Sequence, residues 1–310
     1  LQNSRFVVLH ICLAMQETMP YPPTILCAPL PQAAPGQLDI WRRAFEAGLE
    51  PWLDARQMEH VRRFGRAPTL VQSAHLQPDA KAFRPDVSGS KMSGQNISGT
   101  DAAGRRPVEA ALSRLMARAQ LITAVGLPTA PGWPQAAEAG ALPIITMDNR
   151  TRPLLAGWQS GFSHSGAAAF CVLAPATDET RTAIAVDAEA ITSPPPDASA
   201  FAANELTALR SLSQTGIDRD ALRRWTIKEA LLKAAGLGLG MPPALVPTGG
   251  SGQRAGLWRG PLGLFGWRVA PCPGHWLCVA QTGKIPQPPR ILWQTPCELL
   301  RNLARLRQHV

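Results

Sequence analysis

Tyrosine occurs once in 310 residues, and aromatic residues make up only 6% of the chain. The arginines are scattered rather than gathered in runs. A basic face with rings on which bases could stack is therefore not legible, which argues against nucleic acid as a partner. Cysteine is sparse: Cys12, Cys27, Cys171, Cys272, Cys278 and Cys297 form no Cys-x-x-Cys pair and have no matched histidine pair, so zinc is not expected. In a chain of this length they read as buried or incidental thiols of a reducing cytosol, and a cytoplasmic location is expected. Long hydrophobic runs are missing too. The apolar stretch 6–15 is interrupted by His10 and too short to span a bilayer, and no clean small-residue cleavage site follows it. We read residues 1–23 as an N-terminal extension, with Met19 as an alternative translation start, and expect no membrane association.

Negative charge is also in short supply, with 22 Asp+Glu against 31 Lys+Arg and a formal net charge of +9. That balance suits acidic partners, whether small molecules or proteins. Apolar residues, at 45%, are ample for one large or two small domains. Segment 24–30 has the pattern of a first strand, and 38–49 and 54–64 those of helices. Residues 68–104 turn polar and rich in Ser, Gly, Asp and Asn, and read as a mobile insertion. A helical pattern resumes over 108–119, and 127–134 is a Pro/Gly-rich loop. Residues 162–173 and 182–189 read as strands. Three consecutive prolines stiffen 192–197, which leads into a helix containing 201–212. Segments 263–269 and 275–280 alternate about a Pro-Gly turn as an antiparallel pair. The end, 298–308, is amphipathic through Leu299, Leu300, Leu303 and Leu306, as for a helix docked on its own core.

Two stretches carry chemistry. Residues 225–240 (WTIKEALLKAAGLGLG) are rich in good helix formers, with Gly236 where a C-terminal cap belongs and Pro242 beyond it. Glu229 and Lys233 are four apart and share a face. Taken alone, such a pair is usually an exposed ion pair of little consequence. Upstream, Ile184-Ala-Val-Asp-Ala-Glu189 is apolar and then acidic at alternate positions, so on a strand Asp187 and Glu189 point the same way. Two like charges on one face repel unless a cation or donor compensates, and a hard oxygen-seeking ion such as Mg²⁺ is the natural partner.

The string Trp-x-x-Lys-Glu-Ala-x-x-Lys followed by alternating glycines resembles the signature of the 4′-phosphopantetheinyl transferases, in particular the larger, monomeric surfactin-type class. Further blocks share the resemblance. Gly161-Phe-Ser-His-Ser-Gly166 is similar to the Ser-His-Ser segment of that family, and Phe201-Ala-Ala-Asn-Glu205 to its Phe-x-x-x-Glu helix. Asn149-Arg-Thr-Arg-Pro153 resembles the Gly-Lys/Arg-Pro loop, with Thr151 in place of the usual glycine. Ala185 likewise replaces a glycine ahead of Asp-x-Glu. The basic segment 53–64 is similar to an N-terminal helix whose cations meet the 3′-phosphate of coenzyme A.

The resemblance implies an α+β fold of two similar halves in a pseudo-twofold arrangement with the active-site cleft between them. It divides the chain into residues 24–180, 181–285 with the metal and catalytic motifs, and a tail helix in 286–310. It implies Mg²⁺, or Mn²⁺ in its place, on Asp187, Glu189 and Glu229. Coenzyme A as co-substrate would meet Arg56, His60, Arg62, Arg63, Arg152, Pro153, Ser163, His164, Lys228 and Lys233. Catalysis would fall to Glu229 as base and Lys233 at the leaving phosphate. The partner implied is an apo acyl or peptidyl carrier protein, whose serine receives the 4′-phosphopantetheine arm as adenosine 3′,5′-bisphosphate departs. Two other readings stand beside this one: a catalytically silent relative that binds coenzyme A or a carrier protein, and a basic nucleic-acid-binding protein favoured by net charge alone.

Overall fold

The computed structural model describes residues 22–64, 99–127, 144–148, 152–166, 168–176 and 183–308. Residues 1–21 of the N-terminal extension, most of the expected insertion, the 127–134 loop beyond Leu127, and Asn149, Arg150 and Thr151 lie outside them. In chain order the elements are β1 (Thr24–Pro29), α1 (Pro35–Leu49), α2 (Ala55–Phe64), α3 (Gly99–Gly126), β2 (Thr146–Met147), β3 (Pro153–Leu154), β4 (Trp158–Ser165), β5 (Ala168–Pro175) and β6 (Ile184–Ala190). There follow α4 (Ala203–Arg210), α5 (Gln214–Ala235), β7 (Ala255–Gly260), β8 (Gly263–Cys272), β9 (His275–Thr282), β10 (Arg290–Trp293) and α6 (Pro296–Arg307). The fold is α+β, as expected.

Four layers stack in the order helices, sheet, sheet, helix. The first sheet runs β10-β1-β5-β4 and the second β6-β9-β8-β7. Strand alternation assigns each residue its layer. On β1 and β5, Leu26, Ala28, Ala169, Cys171 and Leu173 face α1, α3 and α6, where Leu38, Phe45, Leu112, Leu115, Leu299 and Leu303 meet them. Their neighbours Ile25, Cys27, Phe170 and Val172 face the other way, onto Ile184, Val186, Leu277 and Val279 of the second sheet. The far side of that second sheet, including Ala185, Trp267, Cys278 and Ala280, receives Ile227, Ala230, Leu231 and Ala234 of α5.

Three elements differ from the sequence reading. Residues 162–173 are not one strand. A turn at Gly166, at φ +52, splits them into the antiparallel β4–β5 hairpin. Helix α3 begins at Gly99, inside the segment expected as insertion, and runs on to Gly126. The last residues are more than a tail: β10 pairs in parallel with β1 (Thr24 opposite Arg290), and α6 buries Leu299, Leu303 and Leu306 beside α1 and α3. Strand β10 and helix α6 thus complete the sheet and helix layer built on β1. Helix α5 is longer than its motif. It starts at the Ser213 cap, whose hydroxyl accepts from the Gly216 N–H, and stops at Gly236, whose left-handed backbone (φ 66, ψ 28) costs glycine nothing.

Candidate active site

The two sheets meet edge to edge where β4 passes β6. Gly161 permits the approach: a Cβ there would lie 2.9 Å from the Ala185 Cα and 3.1 Å from the Ile184 carbonyl oxygen. Two serines stitch the seam. Ser163 Oγ donates to Asp187 Oδ1 at 3.0 Å and accepts from the Ala188 N–H at 3.3 Å. One period further on, Ser165 Oγ donates to Glu189 Oε2 at 3.3 Å and accepts from the Ala190 N–H at 2.6 Å. Ser163 was expected as a coenzyme A contact. It does line the cleft, but its hydroxyl is engaged in joining the two sheets.

Asp187 and Glu189 share the face of β6 that looks onto α5. From that helix, one turn apart, come Trp225, Glu229 and Lys233. Trp225 Nε1 donates to Glu189 Oε1 at 3.1 Å, and Lys233 Nζ to Asp187 Oδ1 at 2.5 Å. Carboxylate oxygens of Asp187, Glu189 and Glu229 lie within 4.8 Å of one another. Burial, joined by the Asp187 charge, pushes both Glu189 and Glu229 above the usual carboxylate range, against the pull of Lys233. For Lys233 burial opposes the charged form, but Asp187 and Glu229 outweigh it and hold the ammonium above its ordinary pKa. The cluster has more negative charge than Lys233 balances. Asp187 Oδ2 is buried with no hydrogen-bond partner. An orphaned carboxylate oxygen beside two further carboxylates fits a hard divalent cation.

A cleft of about 430 Å³ opens beside this cluster. It gathers nine of the expected residues: His60, Arg152, Pro153, Ser163, His164, Asp187, Glu189, Glu229 and Lys233. Arg152 is held by Asp148, with Nε 2.7 Å from Oδ2. Four expected residues do not line it. Arg56, Arg62 and Arg63 are exposed on α2, although Arg63 Nη2 lies 3.1 Å from His60 Nδ1.

Lys228 is the clearest correction. One residue before Glu229, it turns to another side of α5 and is wholly buried. Its Nζ donates to the Pro243 and Val246 carbonyls at 2.9 and 2.6 Å and pairs with Glu205 at 2.7 Å. Glu205 also accepts from Thr248 Oγ1 at 2.6 Å, while Arg223 and Arg224 clamp Asp220 at 2.6 and 2.8 Å. This ionic hub fastens α4 and the loop after α5. It offers no cation to a phosphate in the cleft.

Residues 183–249 match the model of the 4′-phosphopantetheinyl transferase superfamily. The match covers β6, α4 and α5, and so all three carboxylates, Lys233 and the Glu205–Lys228 pair. No curated protein matches the chain. Among the described residues, no helix is long and apolar enough to cross a membrane.

Sequence reasoning missed the opposite wall of the cleft, where α3 presents Arg114 and Arg118. Their spacing of four was visible, but the segment was read only through its apolar positions. Both are cationic under strain. Burial, then the charge of Arg63, holds Arg114 down to about 10, and burial, then Arg114, holds Arg118 down to about 9. Burial, then the charges of Arg118, Arg63 and Arg114, takes His60 down to about 4. The cleft therefore has one acidic wall that suits a cation and one basic wall that suits an anion.

Proposed function

We propose that this protein transfers the 4′-phosphopantetheine arm of coenzyme A to a serine of an apo carrier protein and works as a monomer. The observation that carries the reading is the orphaned Asp187 Oδ2 within a three-carboxylate cluster, inside the span that matches the superfamily. Asp187, Glu189 and Glu229 would hold Mg²⁺, or Mn²⁺, which when bound neutralises the diphosphate and polarises the phosphoryl group.

The chain's own residues do the rest. The basic wall draws the polyanion into the cleft and orients it. Glu229, on the edge of the cleft and half-buried, takes the proton of the carrier serine, whose hydroxyl is a poor nucleophile near neutrality. The serine oxygen forms a bond to the β-phosphorus as the bond from that phosphorus to the bridging oxygen breaks. Lys233 holds Asp187 through their ion pair and supplies positive charge beside the departing adenosine 3′,5′-bisphosphate. Trp225 fixes Glu189 through its indole N–H.

The test is incubation with coenzyme A, Mg²⁺ and a panel of apo acyl and peptidyl carriers, read by intact mass. Addition of the arm to a carrier supports the reading. Coenzyme A binding with no transfer to any carrier would favour a silent relative instead.

A further inference from the structure

Arg118 is 4% exposed, yet among the described residues none of its hydrogen bonds goes to a carboxylate. Its Nε and Nη2 both donate to Gln57 Oε1, at 2.8 and 2.6 Å, and Nη1 donates to the Arg114 carbonyl at 3.0 Å. The guanidinium lies over the Phe162 ring, 4.9 Å from its centroid. Three of the five N–H donors are thereby used, and the group borders the cleft. A buried charge ordinarily recruits an opposite charge, because desolvation is otherwise uncompensated. Here the fold supplies a neutral amide.

That amide is held firmly. Gln57 is fully buried, its Nε2 donates to the Thr146 carbonyl at 2.9 Å, and its backbone N–H donates to Asp54 Oδ1 at 2.7 Å. With the amide nitrogen committed to a carbonyl, the amide oxygen can only face Arg118. An acceptor of this kind sets the direction of a guanidinium without cancelling its charge. A glutamate of the same shape would do both.

We infer that Gln57 is a positioning residue that holds Arg118 as an uncompensated cation, so that a phosphate group of the ligand completes the charge balance. The subsite is for a phosphate mono- or diester anion and is separate from the carboxylate cluster. Assigning that phosphate to coenzyme A rests on the transferase reading, whereas the anion subsite does not.

The experiment compares wild type with Gln57→Glu and Gln57→Met. Thermal unfolding is measured, together with calorimetric binding of pyrophosphate and of adenosine 3′,5′-bisphosphate without added metal, and KM and kcat for coenzyme A. Gln57→Glu should melt close to wild type, because the counter-charge gained by Arg118 offsets the lost hydrogen bond from Nε2 to the Thr146 carbonyl. It should nevertheless bind adenosine 3′,5′-bisphosphate about tenfold more weakly, the worth of one charge-assisted contact. KM for coenzyme A should rise with it while kcat stays within about twofold. Gln57→Met should lose both stability and affinity. A role in packing alone would leave the anion affinity of a well-folded Gln57→Glu unchanged, and that result overturns the inference. So does a wild type that binds neither anion. A wild type that binds both, with the expected sensitivity to Gln57→Glu, yet modifies no carrier would sink the transferase reading and leave the subsite standing.

Discussion

Lys233 Nζ lies 2.5 Å from Asp187 Oδ1 but 3.7 Å from Glu229 Oε2, so its nearer anion is on the strand and not on its own helix. The familiar i,i+4 pair is the weaker of the two contacts. The Lys233–Asp187 bond ties α5 to β6 across the site, and it joins residues 46 positions apart. An ion pair confined to one helix would have no such reach.

Lys233→Ala should therefore do two things. Transfer should slow on the order of a hundredfold, as for a lost electrostatic stabiliser. Without divalent cation, stability should also fall, by about 1–2 kcal/mol, because Asp187 keeps Ser163 as a donor but loses its counter-charge. Added Mg²⁺ should recover much of that loss. Melting curves in chelator and in Mg²⁺, beside transfer rates, check this. An unchanged rate would reduce Lys233 to a structural link.

Asp187→Ala should abolish transfer and the response of the thermal midpoint to Mg²⁺. A cation that binds the native state raises wild-type stability by mass action, and the variant lacks a central ligand. Its midpoint in chelator should drop less than that of Lys233→Ala, since the lost Lys233 and Ser163 contacts are offset by relieved repulsion with Glu189 and Glu229. Differential scanning fluorimetry across a Mg²⁺ titration decides. A variant that still shifts with Mg²⁺ would place the metal elsewhere.

Glu205→Ala should unfold at lower denaturant, with a loss of about 3–5 kcal/mol, because Lys228 is left buried without its counter-ion. The folded fraction should turn over at close to the wild-type rate at permissive temperature. Urea unfolding read beside kcat separates this structural hub from the site one residue along the helix.

Stability should rise with pH between about 4 and 6.5 through His60. Its folded pKa, about 4, lies below the ordinary 6.5, so in that window the unfolded chain binds more protons than the native one. The contribution is complete above the unfolded value and is lost as pH falls toward the folded one. The charges facing His60 are Arg63 of its own helix and Arg114 and Arg118 of α3. His60→Gln should flatten this limb of the stability curve. An unaltered curve would mean the imidazole is not held neutral by its burial beside the basic wall.

Gly161→Ala should destabilise by about 1–3 kcal/mol, since its methyl group would press on the backbone of Ala185 and Ile184 and force the strands apart. Transfer should weaken as well, because Ser163 would be drawn away from Asp187. A variant as stable and active as wild type would show that the seam has slack.

Much of the site was legible because it obeys local periods. Asp187 and Glu189 share a face because strands repeat every two residues. Glu229 and Lys233 share one because helices repeat every 3.6, and Gly236 stops the helix because its backbone is left-handed. The Pro-Gly turn between β8 and β9 and the docking of the last helix through Leu299, Leu303 and Leu306 follow from the same rules. The split of 162–173 at Gly166 was hidden, since a single glycine among small residues does not by itself mark where a hairpin turns.

The sequence by itself determined which side chains point together within each strand or helix, and hence the pairings Asp187 with Glu189 and Glu229 with Lys233. Only the tertiary structure decided what each of those faces meets. It sent Lys228 into the Glu205 hub and not toward a phosphate, and gave Lys233 to Asp187. It brought Gln57 to Arg118 across 61 positions and returned β10 to β1 at the far end of the chain. The reason is physical. Backbone geometry fixes directions over a few residues, whereas the partner across a cleft is chosen by how whole layers bury their apolar faces.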